Sequence, residues 1–142
     1  GEQALLVPAG GSRKPATSET VENKEHFLKM NGKEVFKFAV TVIPDTVAKT
    51  LEKAGMEMSD IDLIVPHQAN YRIVSAAAKK MNYPEEKFYM NLNKLGNTSG
   101  ASIGLALTEA YENGLVKKGD NLVFVGFGAG LSYASLVLKW AY

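Results

Sequence analysis

The chain has 142 residues, enough for one domain with a buried core, and its 46% hydrophobic and 22% charged residues match an ordinary water-soluble globular protein. A formal net charge of +1 excludes the broad basic surface of a nucleic-acid binder, and the absence of cysteine excludes a thiol nucleophile, a disulfide and a thiolate metal site. No apolar run approaches membrane-span length and no signal-peptide pattern opens the chain, so a cytoplasmic setting is expected; Gly1 in place of a starting Met is expected to mark either an expression scar or an excised piece of a longer chain.

Leu5, Leu6 and Val7 end at Pro8 and read as the tail of a strand. Residues 9–25 have loop composition, and a loop of that length in a compact domain is functional or belongs to a larger assembly. Residues 26–30 are expected to form a short extended segment before the turn pair Asn31-Gly32. Over 34–54, Phe36, Val40, Ile43, Val47 and Leu51 recur at three- and four-residue steps, which predicts a helix with one buried face. Pro44 should kink or split it, and Gly55 should end it.

A β-branched run at 61–65 predicts a buried parallel strand that stops at Pro66. His67, Gln68, Ala69 and Asn70 follow, and then a helix with Ile73, Val74, Ala77, Ala78 and Met81 on its apolar face. Residues 88–92 read as another strand. A third helix is expected to start at 96–100, with Gly100, Ala101, Gly104 and Ala106 permitting close backbone packing, and to end near Asn113-Gly114. Strands at 121–127 and 131–140 flank a glycine turn at 126–130. The alternation predicts an α/β class in three layers. Its mixed sheet would have about five strands, mostly parallel with the last antiparallel, and helices on both faces.

His67 therefore falls between a strand's carboxyl end and a helix, the edge where open α/β sheets bind ligands. A histidine at a strand end can also be a merely hydrogen-bonded structural residue. The position, ahead of Gln-Ala-Asn, tips the balance slightly toward function. Asn97-Thr98-Ser99-Gly100 has a strong structural explanation, because Asn, Thr and Ser are preferred helix caps. The functional alternative is that Asn97 aims its side-chain NH2 at a substrate oxygen, as donors in oxyanion holes do. Gly126-Phe127-Gly128-Ala129-Gly130 is followed by a strand pattern, which removes the helix N-terminus that a dinucleotide loop needs. It reads as a turn offering backbone N–H groups. Lys37, Arg72, Lys79 and Lys80 lie on the helices flanking the His67 edge. Single solvated cations of this kind usually carry no meaning; clustered at a site mouth they could attract an acidic partner or phosphate.

Taken together these residues resemble the β-ketoacyl-acyl carrier protein synthase III family. The resemblance runs from Phe27 to Trp140. It is carried by Met-Asn-Gly-Lys-Glu-Val-Phe-Lys at 30–37, His-Gln-Ala-Asn at 67–70, Gly-Asn-Thr-Ser-Gly-Ala-Ser at 96–102 and Gly-Phe-Gly-Ala-Gly at 126–130. It implies the C-terminal half of a two-half, thiolase-like fold, with 1–26 a partial strand and loop from the domain junction and 27–142 the domain itself. His67 and Asn97 would be two members of a Cys-His-Asn triad whose cysteine belongs to the N-terminal half. The implied reaction is a decarboxylative Claisen condensation of an acyl-CoA with malonyl-acyl carrier protein, both substrates, with no cofactor and no metal. It also implies that the backbone N–H of Ala129 serves an oxyanion, although the family usually has glycine there. Gly32, Phe36, Ala69 and Phe127 would bind substrate. Gln68, Ala69, Asn70, Tyr71, Arg72, Lys37, Lys79 and Lys80 would dock the carrier protein, and the full-length protein would be a homodimer. Two other readings stand beside this one: a non-catalytic fragment that binds carrier protein or CoA, and a paralogous thiolase-like acyltransferase of secondary metabolism.

Overall fold

A computed structural model describes residues 1–142. The chain divides into two compact units, residues 1–37 with 128–132, and residues 38–127 with 133–142.

In the first unit, β1 (Leu5–Leu6) pairs antiparallel with β2 (Lys29–Met30), Leu5 opposite Met30 and Leu6 opposite Lys29. The stretch expected as loop contains a five-residue helix, α1 (Ser18–Glu22). Thr17 caps it in a reciprocal capping box with Thr20, which satisfies helix-end donors without any apolar periodicity. Thr20 is buried, and its hydroxyl lies 2.9 Å from His26 Nε2. The Ala9 N–H bonds the Glu25 carbonyl at 3.0 Å, and Lys14 pairs with the Glu25 carboxylate. The segment is thus pinned by local bonds. Helix α2 (Gly32–Ala54) begins in this unit and continues into the next. It runs through Pro44, whose ring leaves the Val40 carbonyl without its helical donor.

The second unit is built on a three-stranded sheet in the order β3 (Leu63–Pro66), β4 (Asn121–Gly128), β5 (Ser132–Lys139). Strands β3 and β4 are parallel, with Leu63 opposite Leu122 and Pro66 opposite Val125. The connection of residues 129–131 is short enough that β4 and β5 must run antiparallel. Between β3 and β4 lie α3 (Tyr71–Met81), α4 (Leu92–Leu95) and α5 (Ser102–Glu112). Side chains alternate across a strand, so one face carries Leu63, Val65, Leu122, Phe124 and Leu138. These pack with Ala106 and Ala110 of α5. Ser135 of β5 projects from the opposite face, where its hydroxyl donates to the Thr46 carbonyl of α2 at 3.0 Å. Helices therefore cover both faces, as an α/β layer architecture requires.

The α/β class stands, but the five-strand sheet does not. Two of the strands form the separate β1–β2 ladder, and the expected strand over 88–92 reduces to one parallel bridge, Ile64 to Phe88. The reason lies in where that segment's backbone bonds go. Tyr89 donates its N–H to Ile64 at 2.9 Å, but the Tyr89 carbonyl and the Asn91 N–H are both taken by the side-chain amide of Gln68. A side chain does there what a neighbouring strand would otherwise do.

Candidate active site

Strand β3 ends at Pro66, which has no N–H to give, yet the ladder continues one step further: the His67 N–H donates to the Val125 carbonyl of β4 at 2.8 Å. The chain then turns, with Ala69 N–H on the His67 carbonyl at 2.9 Å. Asn70 opens α3 by accepting the Arg72 N–H at 2.9 Å. This ladder bond and capped turn hold His67 at the strand's carboxyl end, as expected. Its ring is half-buried and stands edge-on to Phe127, centroids 5.5 Å apart and planes at 72°.

The His67 Nδ1 lies 2.6 Å from the hydroxyl oxygen of Ser102, the first residue of α5. That oxygen also accepts the Gln68 backbone N–H at 3.3 Å. Burial pushes the His67 pKa below its ordinary 6.5, and no neighbouring charge contributes. The fold thus favours the neutral ring. Its contribution to stability is complete above pH 6.5 and is lost as pH falls through that value toward the lower folded pKa. An imidazole titration followed by NMR should give His67 a midpoint below 6.5; one at or above that value would contradict the burial argument.

Asn97 follows Gly96, whose positive φ of 69° ends α4. The residue does not cap α5. A short 3-10 turn, Ser99–Ala101, intervenes, and α5 starts at Ser102 without a side-chain cap. The Asn97 Oδ1 accepts the Ser99 N–H at 2.9 Å in an Asx turn, leaving the exposed Nδ2 group free to donate. The structural role of Asn97 is thus to close the turn that leads into α5, with only its Oδ1 engaged and not as the cap of the helix itself. His67 and Asn97 are not bonded to each other; one is held by Ser102 and the other by Ser99.

One expectation fails. Gln68, read as a docking residue, is 1% exposed, and its amide is fully engaged: Nε2 donates to the carbonyls of Pro66 (2.8 Å) and Tyr89 (3.1 Å), while Oε1 accepts the Asn91 N–H (3.0 Å). A buried amide with these bonds cannot turn outward without orphaning three backbone groups. The clamp continues outward, because Asn91 Nδ2 donates to the Glu109 carboxylate at 2.7 Å and Lys94 pairs with Glu109. These two contacts hold the Glu109 carboxyl below the usual carboxylate range, Lys94 being the larger cause.

Ala69 is half-buried, and Asn70, Tyr71, Arg72, Lys79 and Lys80 are exposed along α3. Arg72 and Lys79 share one side of the helix, seven residues and about 10 Å apart. Gly32, Phe36, Lys37 and Ala129 belong to the first unit. There Gly32 opens α2 with open space where a Cβ would stand, Phe36 is half-buried, and Lys37 and Ala129 are exposed. Ser102 went unnoticed in the sequence. It closes the 96–102 motif, but a serine inside a stretch of small residues is too common to be singled out. No helix is long and apolar enough to cross a membrane.

The family described as the C terminal of 3-oxoacyl-[acyl-carrier-protein] synthase III matches residues 51–140. A β-ketoacyl-[acyl-carrier-protein] synthase III of Fusobacterium nucleatum is 56% identical over 138 residues, covering 97% of this chain and 42% of the relative. Among solved structures, 3-oxoacyl-(acyl carrier protein) synthase III of Pseudomonas aeruginosa superimposes with a TM-score of 0.87 at 36% identity, over 99% of this chain and 42% of that one. A priming β-ketosynthase from a polyketide biosynthetic pathway gives 0.81 at 34% identity, over 97% and 41%. The chain thus spans about two-fifths of the length of the relatives it matches.

Proposed function

Because the chain belongs to the 3-oxoacyl-[acyl-carrier-protein] synthase III family, through that family's C-terminal domain, we propose that it supplies the condensing half of such an enzyme's active site. In this reading the whole protein, a cytoplasmic homodimer, first transfers an acyl group from acyl-CoA to a cysteine of the other half. It then condenses that group with malonyl-acyl carrier protein. The malonyl group loses CO2, and negative charge develops on its thioester oxygen. His67 and Asn97 donate hydrogen bonds to that oxygen, and the enolate carbon attacks the acyl-cysteine. The backbone N–H of Ala129 and that of the cysteine serve the second oxyanion. No cofactor or metal takes part. Fixed donors aimed at developing charge are the largest single source of catalysis in reactions of this type.

The observation that carries this reading is His67: a half-buried histidine, kept neutral by burial, at a strand's carboxyl end. Gly32, Phe36, Ala69 and Phe127 would bind the pantetheine arm and acyl group. Assaying the full-length protein with acyl-CoA and malonyl-acyl carrier protein tests the proposal. β-Ketoacyl-carrier product is expected, and its absence would overturn the reading. Likeness to a polyketide priming ketosynthase favours one second reading, the same chemistry in secondary metabolism. A preference for the carrier protein of that pathway would establish it.

The exposed α3 residues Asn70, Tyr71, Arg72, Lys79 and Lys80, with Lys37, would receive the carrier protein, which is acidic. Arg72→Glu is expected to lower kcat/KM for malonyl-acyl carrier protein by about tenfold or more and to flatten its salt dependence, with acylation by acyl-CoA little changed. Lys79→Glu should act in the same direction but less, being about 10 Å further from the strand end. Equal losses for both substrates would mean that Arg72 supports the fold and not docking.

A further inference from the structure

We propose that Ser102 is a positioning residue for the condensation: its buried hydroxyl donates to His67 Nδ1 and so keeps the imidazole proton on Nε2. This rests on the reading of His67 as a hydrogen-bond donor to substrate, and it names the group that makes it one.

The inference follows from counting protons. A neutral imidazole carries one N–H, on either Nδ1 or Nε2, and the bond made by one nitrogen decides the state of the other. The Ser102 oxygen has one proton to give. Two groups meet it: the Gln68 backbone N–H at 3.3 Å and His67 Nδ1 at 2.6 Å. The Gln68 N–H can only donate, so toward it the serine accepts. The hydroxyl proton then has a single acceptor, Nδ1, since Ser102 makes no other side-chain bond. The opposite arrangement, with Nδ1–H donating to serine, would make Oγ accept twice and leave an O–H proton unpaired in a residue that is 1% exposed. The first arrangement satisfies every group. Nδ1 is the acceptor, and Nε2–H is left free to donate, since no residue of the chain bonds it.

The serine is itself well fixed. It starts α5, and its backbone N–H donates to the Ser99 carbonyl in the turn that also holds Asn97. One short segment, 97–102, thus anchors the Asn97 carboxamide at one end and orients the His67 ring at the other. Protonating the ring would put a hydrogen on Nδ1, make the Ser102 oxygen accept twice and leave its O–H proton unpaired, so this bond favours the neutral ring in the same direction as burial does.

The test uses the full-length enzyme labelled with 15N at histidine, with the His67 signals identified by their loss in His67→Gln. At neutral pH the wild type should show an unprotonated Nδ1 and a protonated Nε2. Ser102→Ala should move His67 to a mixed or Nδ1–H tautomer and lower the condensation kcat by about 10- to 100-fold, the usual effect of losing an orienting partner. Acylation by acyl-CoA should persist. Ser102→Thr, which keeps the hydroxyl, should restore the tautomer. A wild-type Nδ1–H tautomer, or an unchanged tautomer in Ser102→Ala, would overturn the proposal. If the alanine variant fails to fold, the wild-type spectrum still decides against it or leaves it standing together with the threonine variant. An enzyme with no condensation at all but the expected tautomer would sink the functional reading and not the serine's role.

Discussion

Asn97→Ala and His67→Ala should each lower condensation by about 10²–10³, the usual effect of deleting one oxyanion donor, while leaving acyl transfer from acyl-CoA to the cysteine of the full-length enzyme largely intact. Both side chains are assigned to the malonyl enolate and neither to the thioester exchange that precedes it. The two donors act on one oxygen, so the double variant should fall little below the singles. Asn97→Asp is the sharper case. Aspartate can still accept the Ser99 N–H and keep the Asx turn, but it replaces an N–H donor with an anion at the point where negative charge develops. It should therefore be at least as inactive as alanine with less effect on stability. Intact mass after exposure to acyl-CoA reads the first half-reaction, and β-ketoacyl product reads the second. Failure of both alanine variants to acylate would refute the division of labour; failure of His67→Ala alone would extend His67 to activation of the thiolate.

The second large effect is an absence. The 142-residue chain, purified alone, is expected to gain no acyl mass from acyl-CoA and to make no β-ketoacyl product, because it contains no cysteine to carry the group. In the proposed mechanism its histidine and asparagine supply only donors, and donors without a bound acyl electrophile have nothing to condense. A stable adduct on any residue, or product above a protein-free blank, would show that the chemistry does not divide between two halves in the way proposed.

The helices and the central strands were legible because their apolar periods were clean. The stripe Ile43, Val47, Leu51 is buried on α2, and Ile73, Val74, Ala77 and Ala78 are buried on α3. His67 stood out because a short β-branched run stopped at a proline just before it. The misreadings share one cause, which is side chains replacing backbone partners. Residues 88–92 have strand composition, but their hydrogen bonds end on the amide of Gln68, and no periodicity encodes that. Gln68 itself lay inside a polar run that looked exposed. Residues 96–102 looked like one capped helix start, whereas they hold an Asx turn, a 3-10 turn and a serine facing a histidine. A contact between positions 67 and 102 depends on the sheet being assembled first. In α1, two threonines closed a helix on themselves without an apolar stripe to announce it.

The Gln68 clamp has a practical meaning for anyone recombining relatives of this protein. Because its amide holds the Pro66 carbonyl, the Tyr89 carbonyl and the Asn91 N–H at once, the strand end that carries His67 and the loop after Phe88 form one mechanical unit. Splicing a foreign 88–95 loop onto this scaffold keeps the backbone acceptor and donor whatever the side chains, but position 89 still has to fill the place of Tyr89, which packs on the core beside α5 and accepts a hydrogen bond from Asn113 at 3.2 Å. A change in loop length cannot be absorbed so easily, since it slides the carbonyl and the N–H out of reach of a two-ended group of fixed size. Crossover points for shuffled libraries therefore belong before β3 or after Glu109, where the outermost contact of the clamp ends, and not between them.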